Sequence, residues 1–187
     1  MYLNYRKELR VTPILSTCSA PAASLATAQI ALRAALGGTL ISHGLKHGRS
    51  LEGTAKWFGS IGFRNPKLQA RLSAIVEIGA GTAIAMGAVL PLSAATAVGT
   101  MAVAARSVHL SNGFFITNEG WEYVMNLAAA SVALATIGPG AFSIDHVLGW
   151  DHRLSGGSVA ALAAAVGLLG AGTQLAVYYR KPAVAIV

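Results

Sequence analysis

The stretch LQARLSAIVEIGAGTAIAMGAVLP, Leu68 to Pro91, decides how the chain is read. Up to Leu90 it is as long as the roughly 20 apolar residues needed to cross a hydrocarbon core of about 30 Å. Pro91 closes it. Its one acid is Glu77. An ionisable group inside a span costs about 2.5–3.5 kcal/mol on insertion scales, so such groups normally face inward and pair. Ser73, Ala74, Ala80, Gly81 and Ile84 share the helical face of Glu77, and this mostly small surface suits a helix contact. The stretch therefore reads as a membrane helix with its carboxylate turned into the protein. Gly79, Ala83 and Gly87 recur at helical spacing, as do Ala163, Gly167 and Ala171. Small residues so spaced let helix backbones approach closely in lipid.

Working outward, four further apolar runs appear. The first covers Ala22 to Leu45 and holds Arg33 near its middle. The third, Ala94 to Leu110, follows Pro91 so closely that it forms an antiparallel hairpin with the second. The fourth begins at Trp121 and ends before Gly138–Gly140, where GPG stops a helix. The last runs from Ser158 to Tyr179. Between the first two lies RSLEGTAKWFGSIGFRNPK, too polar to cross. Its Trp57, Phe58 and Phe63 suit an interfacial loop with a short helix in the headgroups. No strand alternation or internal repeat is visible. The fold class is all-α, a polytopic membrane helical bundle.

Composition agrees. Of 187 residues, 54% are hydrophobic and only 11% charged, against about 25% charged in average soluble domains. The net charge of +7 lies in loops, with no basic stripe interleaved with stacking aromatics, so nucleic acid is not expected as a partner. The basic residues report topology instead. Lys46, Arg49, Lys56, Arg64, Lys67, Arg71, Arg180 and Lys181 share one side, which the positive-inside bias puts in the cytoplasm. Arg6, Lys7 and Arg10 pull the other way. The single cysteine, Cys18, allows no internal disulfide. Its surroundings, LSTC, fit a lipid-attachment box poorly, and the N-terminal segment lacks the apolar core of a cleaved signal peptide.

The hairpin places the spans' ionisable groups. Glu77 and Arg106 are almost equally far from Pro91 along the chain, hence at similar depth. His109 lies one turn beyond Arg106 on the same face. His43 ends the first span on that side, and Asn112 and Glu122 flank the connection into the fourth. Arg33 is deeper, with a side chain long enough to reach along the bundle. Glu77 and His109 are the candidate catalytic pair, with Arg33, His43, Arg106, Asn112 and Glu122 as candidate ligand-binding groups. Arg33 and Arg106 are the expected partners of Glu77. The alternative stays open: a buried Glu–Arg pair can fix helix register and do no chemistry. His43, His109 and Glu122 are metal-ligand types, but their spacing matches no short metal motif, and no metal is expected. His47 and His152 read as solvated loop residues, and His146 as the end of a polar loop. No haem attachment motif, iron–sulfur cysteine set or dinucleotide fingerprint occurs.

Arg33, HGLK at the end of the first span, GTAKWFGSIG, VEIGAG, HLSNGFF, GWEY and GPGAFSID with Asp145 appear in this order over roughly Ala28 to Asp145. Together they resemble the DoxX family of small bacterial membrane proteins. The resemblance implies a four-helix membrane core over residues 22–145, with an interfacial loop at 46–67. A tail at 1–21 precedes it, and a polar connection with an added fifth transmembrane helix follows over 146–187. It implies the bacterial inner membrane, several passes, and a redox or oxidative-stress complex. Relatives are linked to quinol oxidase and thiosulfate:quinone chemistry. The expected partners are the lipid bilayer and other membrane redox subunits, with a homo-oligomer allowed. A quinone is the one cofactor the resemblance brings, at the Glu77 cluster, where a small anion is the other candidate ligand; the chain carries no redox motif of its own. Two other functions remain open: a non-catalytic accessory or assembly subunit, and a small proton-coupled transporter.

Overall fold

The computed structural model describes residues 22–182. The N-terminal tail with Cys18, Arg6, Lys7 and Arg10 lies outside the described residues. The described chain is helical: α1 (Ala22–Arg49), α2 (Leu51–Ser60), α3 (Pro66–Met86), α4 (Leu90–Ala104), a π-helical turn (Ala105–His109), α5 (Glu122–Ile137), the short α6 (Ile144–Val147) and α7 (Gly157–Tyr178). α1 and α7 are each long and apolar enough to cross a membrane, and α5 is a shorter apolar helix.

The helices fall where the apolar runs lie, with three differences. First, α1 does not stop at Leu45 but continues to Arg49, because no proline or left-handed residue interrupts it. His47 is therefore helical. Second, α3 ends at Met86, before Pro91. Gly87 takes the left-handed conformation (φ 61°) that closes the helix, and it does so without the Cβ penalty other residues carry. Pro91 sits in the first turn of α4, where a missing N–H leaves nothing unpaired. Third, the run expected as one helix to Leu110 gives up α-helical pairing after Ala104.

Backbone contact between small residues sets the packing. A Cβ on Gly37 of α1 would lie 2.7 Å from the Gly81 carbonyl of α3, and one on Gly81 would lie 2.8 Å from the Gly37 carbonyl. α4 and α7 cross as tightly: a Cβ on Gly167 would overlap the Ala95 carbonyl. Ala163, Gly167 and Ala171 are all buried in α7, as their spacing predicts. The α3 stripe Gly79–Ala83–Gly87 is not the contact face. Gly79 faces open space. The buried positions Ala70, Ala74, Glu77, Gly81 and Ile84, with Gln69 and Ala80 beside them, mark that contact face. Steps of four alone drift round a helix of 3.6 residues per turn; alternating steps of four and three keep to one side.

Leu36 and Leu40 of α1, Ala80 and Ile84 of α3, Leu90 and Ala97 of α4, and Leu134 of α5 form the central cluster. α7 packs outside it through Ala160, against Ala94 and Ala135. A second cluster joins α2 to the end of α7 through Ala55, Phe58, Phe63, Ala70 and Tyr179. There the backbone forms a latch. Arg64 N–H donates to the Tyr178 carbonyl (2.7 Å) and Arg180 N–H to the Gly62 carbonyl (2.9 Å). Gly62 (φ 104°) must be glycine, since a Cβ would strike the Arg180 carbonyl.

The connection between α5 and α7 holds one polar pair. His146 does not merely end a polar loop, for its Nδ1 lies 2.6 Å from Asp151 Oδ2. This hydrogen bond, aided by the charges of His152 and His146, holds the Asp151 carboxyl below the usual carboxylate range. A depressed folded-state pKa stabilises the fold fully above the unfolded value and loses that contribution as pH falls through the folded one. A side-chain NMR titration should therefore give Asp151 a midpoint below the ordinary value of about 3.9. His146→Ala should raise it, and an unmoved midpoint would rule the pair out as its cause.

Candidate functional site

Glu77 is buried, 5% exposed, at the centre of the α3 contact face. Its partner is neither arginine expected for it. His47 Nδ1 lies 3.2 Å from Glu77 Oε1 and 3.0 Å from Ser73 Oγ. Ser73 hydroxyl also lies 3.1 Å from the Ala70 carbonyl; when it donates there and Glu77 is ionised, Nδ1 is the ring nitrogen that donates to both oxygens. The imidazole packs against Trp57 and Phe58 of α2, with ring centroids 6.3 and 6.1 Å away. Its side chain is 20% exposed against 6% for Glu77. A buried carboxylate is thus joined to the surface by one imidazole. His47 reaches it because α1 continues past Leu45, so the solvated-loop reading fails.

Arg33 sits elsewhere, roughly 20 Å up α1 from His47 at 1.5 Å per residue. It is buried and bonded to backbone. Nη2 donates to the Ala85 carbonyl (2.7 Å), Nη1 to the carbonyls of Pro139 (3.0 Å) and Phe142 (2.6 Å), and Nε to those of Ile84 and Ala85. These groups cap the end of α3 and pin the GPG loop. Beside it, fully buried Asp145 accepts from Val89 N–H (2.7 Å) and Leu90 N–H (2.9 Å), capping α4. Its own N–H donates to the Gly87 carbonyl (3.0 Å). Val89 is held in the left-handed region (φ 44°), which a β-branched residue rarely adopts. Arg33 and Asp145 together fasten the α3–α4 turn to the loops on its far side.

Arg106 is exposed and does not pair with Glu77 either. The π-helical turn adds a residue to the register and carries Arg106 round so that its guanidinium lies 5.5 Å from the Tyr179 ring centroid. His109, Asn112 and Glu122 do come together, but around their own connection. His109 Nδ1–H and Asn112 Nδ2 donate to the Glu119 carbonyl. Glu122 Oε2 accepts from Ile116 N–H (3.0 Å). No hydrogen bond or ion pair links these groups to Glu77 among the described residues. His43 is exposed one turn before His47. Among the described residues no three His, Cys, Asp or Glu side chains group as metal ligands.

Sequence reasoning missed His47, Ser73 and Asp145 as site residues. His47 was within reach. Gly37, Leu40, Gly44 and His47 follow one another along α1 at helical spacing. The first three are buried, and both glycines touch α3 backbone, so the same face carries His47 to Glu77.

Residues 28–110 match the DoxX family model. The match is consistent with a DoxX family protein. It runs from α1 through the π-helical turn. The matched residues include Arg33, His43, His47, Glu77, Arg106 and His109, while GWEY and GPGAFSID lie beyond them. The DoxX family is membrane-associated, and α1 and α7 could each span a membrane. Searches of curated proteins and of solved structures gave no significant match.

Proposed function

We propose that the protein is a multi-pass subunit of the bacterial cytoplasmic membrane that accompanies a redox partner, with the Glu77–His47 pair as its proton-handling site. Support for several passes comes from apolar side chains exposed on the outer faces of helices besides α1. These include Ile75 of α3 (67%), Leu92 of α4 (61%) and Leu169 of α7 (71%). Large apolar side chains exposed on several helices at once support contact with lipid or protein. In this reading α1, α3, α4 and α5 form the four-helix core within residues 22–145. α7 is the fifth span, in 146–187, and the amphipathic α2 lies at the cytoplasmic interface among the basic residues.

One observation carries the chemistry: a carboxylate almost out of solvent, hydrogen-bonded to an imidazole that reaches it. Reducing a quinone to a quinol takes up two electrons and two protons. The partner supplies the electrons, and the His47–Glu77 pair passes the two protons, one after the other, from the basic end of the bundle. The pair keeps Glu77 and adds His47, while His109 stays with its loop. Copurification in mild detergent identifies the partner. In that complex Glu77→Gln and His47→Gln should each lower quinone-dependent turnover by about 100-fold, the scale of one general acid–base group, and flatten its pH profile. Undiminished turnover in folded variants would remove the pair from the mechanism.

An accessory or assembly role is the second reading, favoured by Arg33. Its guanidinium is taken up by backbone carbonyls, which makes it a fastening of the fold more than a ligand group.

A further inference from the structure

A cleft of about 520 Å³ opens where the turn after α2, the π-helical turn and the segment after α7 meet. Arg106 and Lys181 line it, and no acidic residue among the described ones does. Three serines also line it, yet their hydroxyl hydrogens go elsewhere: Ser60 to the Trp57 carbonyl (2.8 Å), Ser107 to Val103 (2.8 Å) and Ser111 to Val108 (3.3 Å). The Tyr179 hydroxyl, also in the lining, donates to the Ser107 carbonyl (3.5 Å). The charged donors left for an incoming group are the guanidinium and the ammonium. Arg106 is set in place by the Tyr179 ring, and that ring is fixed in turn by the latch between Gly62 and Arg180. Such a guanidinium suits a phosphate oxygen pair. Leu110 forms one wall of this cleft and also one wall of a second, apolar groove of about 190 Å³. Met101, Trp121, Val124 and Leu168 line that groove between α4, α5 and α7.

A cationic cleft and an apolar groove sharing one residue make a head-and-tail site. We infer that it binds an anionic phospholipid, with the phosphodiester between Arg106 and Lys181 and an acyl chain over Leu110 in the groove. The charge decides the class, because a zwitterionic headgroup would bring a third cation to the two already present. Basic residues near the cytoplasmic leaflet favour anionic lipids in the same way. The site is separate from the Glu77–His47 pair and rests only on the membrane placement proposed above.

The full chain in mild detergent is incubated with phosphatidylglycerol or phosphatidylcholine, and retained lipid is counted by native mass spectrometry. Retention of phosphatidylglycerol should exceed that of phosphatidylcholine by about thirtyfold, the effect expected of two basic contacts. Arg106→Gln with Lys181→Gln should abolish the difference, and Arg106→Lys should restore much of it when Lys181 is kept. Met101→Trp, filling the groove, should lower retention of both lipids. Circular dichroism and the melting temperature confirm that each variant is folded, and recovery in the membrane fraction tests the membrane placement by itself. Equal retention of the two lipids would overturn the inference, as would undiminished phosphatidylglycerol in the double variant. So would inorganic phosphate that displaces the lipid at equal concentration, which would assign the cleft to a free anion.

Discussion

Asp145→Ala should destabilise the protein by about 3–5 kcal/mol, the cost of removing one partner from a buried charged assembly. The carboxylate is fully buried and takes both N–H groups at the start of α4. Without it those donors lose their partners, Val89 loses what holds its left-handed backbone, and Arg33 loses the acid beside it. Asp145→Asn keeps one good acceptor and should fall between alanine and the natural residue. Chemical unfolding in detergent, followed by tryptophan fluorescence, gives the comparison. An alanine variant within about 0.5 kcal/mol of the natural protein, the range of ordinary surface changes, would show that the turn holds by itself.

Gly81→Val should be as damaging. Its Cβ would arrive 2.8 Å from both the Gly37 carbonyl and the Ile41 nitrogen of α1. Both are backbone atoms of a long helix and cannot turn aside as a side chain would. α1 and α3 must separate, at a cost of about 3 kcal/mol or more for overpacking at a rigid contact. The separation also pulls His47 from Glu77, so the pair's proton chemistry should fail with the stability. Gly79→Ala is the control. Two residues away on the same helix, Gly79 meets nothing within 4 Å, and alanine should be neutral or stabilising by up to about 1 kcal/mol through helix propensity. Melting temperatures that rank the two variants equally would refute the contact face.

The helices were legible because apolar length and punctuation are written locally. The GPG stop after α5, the polar connection and the short helix α2 between the first two long helices all follow from residues a few positions apart. The inward face of Glu77 was legible too, through the small residues at its three- and four-residue spacings. Its partner was not. The expected pairing with Arg106 assumed an unbroken helix from Ala94 to Leu110, and nothing local in AARSVH announces a π-helical turn. Asp145 stands out in the sequence only by its place in GPGAFSID. Its role depends on the α3–α4 turn lying beside it, a contact across more than fifty residues. Arg33 reads in sequence as a charge seeking an acid. Its actual partners are carbonyl oxygens, which every residue carries and no pattern marks.

The latch between the α2–α3 turn and the end of α7 also bears on how the chain is made. Phe63 leaves the ribosome long before Tyr179 exists, so during synthesis the aromatic nest of Phe58 and Phe63 waits without its closing member. The wall that positions Arg106 is likewise completed only by the final turn of α7. This end of the bundle is therefore completed after the α1–α3 contact, and a nascent chain stalled before Tyr179 carries the Glu77–His47 pair on α1 and α3 but lacks a finished lipid cleft.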